Sequence, residues 1–196
     1  MNYLGHLFFS NDELELMYAN IYGDFVKGSE LTHLPLIVQK GVKLHRTIDY
    51  FIDSKPLIKD LRSTLSQDLP KISGIAIDLY FDHLLAESWE EYRNEPIEVF
   101  TEQFHEFNYN SANYTNPHFL NLISVMKSGN WLNHYQYTHG LEFASRGLSQ
   151  RISFSNDLWK APEIFVKFRP EIESVFSQFM LEAINYFKEY HKSIIT

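Results

Sequence analysis

Apolar residues recur every three to four positions along most of the chain, the period of helices packed on one face. Over residues 13–27 (ELELMYANIYGDFVK), Leu14, Met17, Ile21 and Phe25 share a stripe, and Gly28 follows as a C-cap. A second helix is predicted over 35–53, with Pro35 at its first turn and Pro56 just beyond its end. Further helices are predicted over 56–67, 72–92, 97–110, 117–127, 130–145 and 163–191, the last long and amphipathic. Between 146 and 162 (RGLSQRISFSNDLWKAP) the period breaks, which reads as a loop. Strand-like alternation is scarce, and no repeat, low-complexity tract or linker interrupts the pattern. The expected fold class is all-α, with residues 1–196 forming one domain.

Within the predicted 72–92 helix, IAIDLYFDHLL at 75–85 has three ionisable groups, Asp78, Asp82 and His83, in an otherwise apolar run. A helix apolar on most sides must be buried, and a buried carboxylate needs a partner, a proton or a metal. Asp78 and Asp82 are one turn apart on one face. Ordinary bonding to an arginine and to backbone groups is the plainer alternative. A second cluster, KLHRTIDYFID at 43–53, sets His45 and Asp49 one turn apart, with Arg46 three residues before Asp49. That spacing suits a His–carboxylate pair on one metal, or an aspartate orienting an imidazole. An Arg46–Asp49 surface ion pair is the competing reading. Asp24, in YGDFVKG, sits near the unfavourable C-terminal end of its helix, which invites a functional role. His6 lies in the apolar run YLGHLFF and counts only in company.

Composition narrows the chemistry. The chain has 196 residues, 44% of them apolar and 16% aromatic, enough for one sizeable core. It has no cysteine, so no disulfide or thiolate site is available and His, Asp and Glu are the candidate ligands. Nitrogen and carboxylate donors suit Mn²⁺, Fe²⁺, Mg²⁺ or Zn²⁺. A net charge of −8 argues against nonspecific nucleic-acid binding. No basic leader or membrane-length apolar run is visible, so a cytoplasmic protein without membrane contact is expected.

In this order and spacing, MNYLGHLFFS, YGDFVKG, LHRTID and IDLYFDHLLAESW resemble the bacterial acyl carrier protein phosphodiesterases. A looser match continues through WLNHYQYTHGLEFASRGLSQR at 131–151. The resemblance implies an all-α, HD-phosphohydrolase-like fold and a divalent metal, Mn²⁺ preferred. It also implies cleavage of the phosphodiester that joins 4′-phosphopantetheine to a serine of holo-acyl carrier protein. Carried over by motif, the metal ligands are drawn from His6, Asp24, His45, Asp78, Asp82 and His83. Asp24, His45, Arg46, Asp49 and Asp82 carry catalysis, with the Arg46 fork gripping phosphoryl oxygens. The usual HD signature runs His then Asp, whereas 82–83 run Asp then His, so ligands do not transfer directly. Gly23 stands where the family pattern suggests alanine.

Carrier proteins are acidic, so an acidic enzyme needs a local basic rim for docking, and Lys27, Lys40, Lys43, Arg46, Arg146 and Arg151 are candidates. Two alternatives remain: a metal phosphohydrolase acting on a small nucleotide or other phosphodiester, and a non-enzymatic helical binding protein.

Overall fold

The computed structural model describes residues 1–195, and the elements among them are helical, as the apolar period predicts. In chain order they are α1 (Tyr3–Phe8), α2 (Leu14–Tyr22), α3 (Leu36–Ser54), α4 (Pro56–Leu65), α5 (Ser73–Glu87) and α6 (Trp89–Tyr92). Then follow α7 (Ile97–Glu106), α8 (Pro117–Ser128), α9 (Trp131–His134), α10 (Thr138–Arg151) and α11 (Ala161–Ile195).

The centre of the molecule is α5, whose residues from Ala76 to Ala86 are buried apart from the partly exposed Asp78. It packs against α1, α4, α10 and α11. Such all-round burial explains why its sequence shows little amphipathic period. In contrast, α3 buries one stripe, Val38, Val42, Leu44, Ile48 and Ile52, and leaves Lys40, Lys43 and Tyr50 in solvent. It lies very close to α2. A Cβ on Gly41 would come within 2.2 Å of the Ala19 backbone, so the crossing needs a residue without a side chain. This close approach brings Asn20 of α2 beside the next turns of α3.

Several boundaries differ from expectation: the 72–92 helix is interrupted at Ser88 and the 97–110 helix ends at Glu106, and four further differences have a visible local reason. The α1 helix was not anticipated from the periodicity; its first N–H groups are bonded by a side chain from α5, described below. The α2 helix stops at Tyr22 and gives way to a 3₁₀ turn over Gly23–Phe25, so Gly28 is no helix cap, although its φ of +80° uses glycine's freedom. The expected helix over 130–145 splits into α9 and α10, because the Tyr135 carbonyl turns away to accept a bond from His83. Finally, α10 runs on to Arg151 through the stretch read as a loop. The turn beyond it is pinned by Asn156, whose side-chain oxygen accepts bonds from Ser149 Oγ at 2.9 Å and the Leu158 N–H at 3.1 Å.

Candidate metal centre and its pocket

His45 and Asp49 sit one turn apart on α3, and α1 brings His6 against them. Asp49 Oδ1 lies 3.3 Å from His6 Nε2, and Oδ2 lies 3.3 Å from His45 Nε2. The imidazoles stack, with centroids 4.2 Å apart and planes 18° from parallel. One donor atom from each of the three residues lies within 4.8 Å of the other two. Both histidines are buried, while the Asp49 side chain keeps 48% of its surface open.

Asn20 fixes the His6 tautomer. Its amide nitrogen donates to the His6 carbonyl at 2.8 Å and to Ser10 Oγ at 3.0 Å. Asn20 Oδ1 therefore faces His6 Nδ1, at 3.0 Å, and that nitrogen must carry the proton. Nε2 is left pointing at Asp49. Burial, and then the neighbouring His6, push the His45 imidazole down to about 3, so it is neutral at pH 7. Burial pushes the Asp49 carboxyl up, but the two imidazoles outweigh it and hold it below its ordinary value. A proton or a metal ion between those nitrogens and the carboxylate turns a lone-pair repulsion into an attraction. Two nitrogens and a carboxylate without thiolate suit a divalent ion of intermediate hardness.

The centre opens into a cavity of about 400 Å³, also lined by Tyr3, Asp24, Asp53 and Asp78. Asp24 comes from the 3₁₀ turn after α2. Partial burial pushes its carboxyl up, His6 pulls it down, and Asp49 pushes it up again, with a net rise. Asp78 Oδ1 accepts a 2.8 Å bond from the Met1 amine. Burial lowers the pKa of that amine, but Asp78 outweighs it and the net shift is upward.

Three sequence expectations need correction. Asp82 is fully buried and is not part of the cavity wall. Its Oδ1 accepts N–H bonds from Asn2 and Gly5, each at 3.1 Å, and its Oδ2 accepts one from Leu4 at 2.7 Å. It thus caps α1 from another helix and has no oxygen facing the cavity. His83, about 100° further round α5, donates Nδ1–H to the Tyr135 carbonyl at 2.6 Å and sets its ring edge-on to Phe165. Arg46 does not line the cavity. One of its terminal nitrogens donates to the Val26 and Gly28 carbonyls, at 3.1 and 2.6 Å, which ties the segment after Asp24 to α3. No Arg46–Asp49 pair forms among the described residues. Of the predicted docking residues, Lys27, Lys40, Lys43, Arg146 and Arg151 are exposed, while Arg46 is half-buried.

Residues not anticipated as part of the centre are Asn20, Tyr3 and Gly23. A Cβ at Gly23 would sit 2.5 Å from His45 Cβ, so glycine there makes room for the imidazole. Asn20 carries no motif, and only its place in an apolar helix hints at buried hydrogen bonding.

The family model described as acyl carrier protein phosphodiesterase matches residues 1–183. Curated relatives include acyl carrier protein phosphodiesterases of Salmonella agona (strain SL483) and Salmonella newport (strain SL254). Each is 27% identical over 152 residues, covering 77% of this chain and 79% of the relative. No solved structure matches. With a family match across nearly the whole chain, over helices that converge on one polar cavity, the chain belongs to the acyl carrier protein phosphodiesterase family.

Proposed function

We propose that this protein hydrolyses the phosphodiester between 4′-phosphopantetheine and the carrier serine of holo-acyl carrier protein. The observation that carries the chemistry is the arrangement of His6 and His45, with Asp49 bridging their Nε2 atoms at the floor of an open cavity. These three residues would hold a divalent ion, with Mn²⁺ the preferred candidate. When bound, the ion supplies a Lewis acid for a phosphoryl oxygen and lowers the pKa of a bound water.

The rest of the work falls to the chain's own groups. Asp24 and Asp78 line the same cavity and are the candidates to hold a water there. Asp24 suits the role of proton acceptor, because its carboxyl is raised. Water oxygen attacks phosphorus and its proton passes to Asp24. The phosphorus–serine oxygen bond breaks, and the serine oxygen takes up a proton. The products are 4′-phosphopantetheine and apo-carrier. Four aspartates around one cavity would repel a phosphodiester without a cation, which favours the metal reading over a purely structural histidine network.

The exposed Lys27, Lys40, Lys43, Arg146 and Arg151 offer local positive charge to an acidic carrier despite the overall charge of −8. The decisive experiment incubates purified protein and Mn²⁺ with holo-carrier and reads the carrier by intact mass. Conversion to the apo mass, stopped by a chelator and restored by Mn²⁺, is the expected result. An unchanged carrier overturns the proposal.

A further inference from the structure

A second cavity, of about 200 Å³, opens beside the metal centre, between α1, α9 and α10. It shares Asn2, Tyr3 and Leu148 with the first, so the two lie side by side against the same residues. The second is the more apolar of the two. The first sets carboxylates and imidazoles beside Met1, Ile52 and Ile75; the second is walled mainly by Trp131, Tyr135 and Phe143, with Arg151 also lining it. We propose that this groove is the subsite for the pantetheine arm, holding the part of the substrate beyond the phosphate. The inference rests on the proposed phosphopantetheine hydrolysis and adds where specificity for that substrate resides.

The arm is uncharged: two amides, a gem-dimethyl carbon with a hydroxyl beside it, and a terminal thiol. Such a chain needs aromatic and aliphatic walls with a few amide-sized polar contacts. The groove supplies both. Trp131 and Phe143 meet edge to face, with centroids 6.0 Å apart. At the junction of the two cavities, Asn2 donates to Tyr135 Oη at 2.9 Å, which places an amide and a phenol where the arm leaves the phosphate. The two volumes together fall within the ordinary range for small-molecule sites, about 300–1,000 Å³.

Gly147 gives an independent indication. It lies in the interior of α10, where glycine is destabilising relative to alanine. Nothing in the fold requires it: its φ is not positive, and a Cβ there would meet no atom within 4 Å. It does line the groove, so its missing side chain leaves room in the cavity rather than in the core.

The test is Gly147→Leu, with Gly147→Ala as the milder variant. Both should fold with a Tm no lower than wild type and bind Mn²⁺ as wild type does. For Gly147→Leu, KM for holo-carrier should rise at least tenfold, with a smaller change in kcat. Calorimetry with 4′-phosphopantetheine should show binding to wild type and at least tenfold weaker binding to Gly147→Leu, while inorganic phosphate binds both equally. Equal 4′-phosphopantetheine affinities, or none for wild type, overturn the subsite. A wild-type protein that binds 4′-phosphopantetheine in the groove but leaves holo-carrier intact overturns the hydrolase reading instead.

Discussion

At the scale of single residues, the centre depends on which nitrogen of each imidazole faces Asp49. Asn20 decides this for His6, because its own amide nitrogen is committed to the His6 carbonyl and Ser10 Oγ. Asn20→Ala frees the His6 ring to change tautomer, and metal affinity should fall by about 10- to 100-fold, the usual effect of losing an orienting partner. Titration of the apoprotein with Mn²⁺ measures this directly. Asp49→Asn replaces the shared anion by an amide whose nitrogen can only donate. Bound metal and kcat/KM should fall together by more than about a hundredfold, beyond the loss of a merely supporting contact. Metal analysis and turnover on one preparation decide it, and a fully active, metal-loaded Asp49→Asn would remove Asp49 from the centre. The one-turn spacing of His45 and Asp49 was legible in the sequence because a helix fixes it. His6 was named through the family resemblance, but the orienting role of Asn20 was not legible, because it depends on a contact between residues 14 apart on two different helices.

At the scale of elements, the polar run on α5 turns out to serve helix placement. Short α1 carries His6, and nothing local holds it: no side chain of its own caps its N-terminus. Asp82 does so from 77 to 80 residues away by accepting three of its N-terminal N–H groups. Asp82→Ala should therefore cost about 2–4 kcal/mol, the range for breaking a buried charged hydrogen-bond network. Any loss of activity should follow from the displacement of His6, with a lower Tm as its signature; an unchanged Tm would contradict this role. Periodicity showed where the longer helices lie, since each buries a stripe or a whole surface. It missed α1, which is too short to show a period, and the α9–α10 break, which depends on His83 drawing in the Tyr135 carbonyl. The sequence also marked Asp82 as a buried acid needing a partner, but not which partner. Three backbone N–H groups meet that need as well as a metal does.

At the scale of the whole molecule, the buried ionisable groups set the pH at which the metal-free fold is most stable. Burial holds His45 down to about 3 and His105 down to about 4, and it lowers His83 as well. Histidines with depressed pKa values contribute stability above their unfolded value near 6.5, and it is lost as pH falls toward the folded values. Asp82 acts in the opposite sense. Burial pushes it up to about 7, although the Met1 amine and the Gly5 and Leu4 N–H bonds oppose the rise. Its contribution is fully present below the unfolded value near 4 and is lost as pH rises through about 7. Asp24, also raised, adds to that loss. Between pH 4 and 6.5 three histidines outweigh two acids, so stability should climb; above 6.5 the remaining Asp82 contribution tips it gently down. Denaturant melts in the presence of a chelator should therefore peak between about pH 6 and 7. Asp82→Asn isolates the carboxyl: the stability of wild type minus that of the variant should fall between pH 4 and 7, by at most about 1.4 kcal/mol per pH unit for one proton. A difference that rises with pH would mean that the three N–H bonds and the amine overcome burial and keep Asp82 ionised throughout.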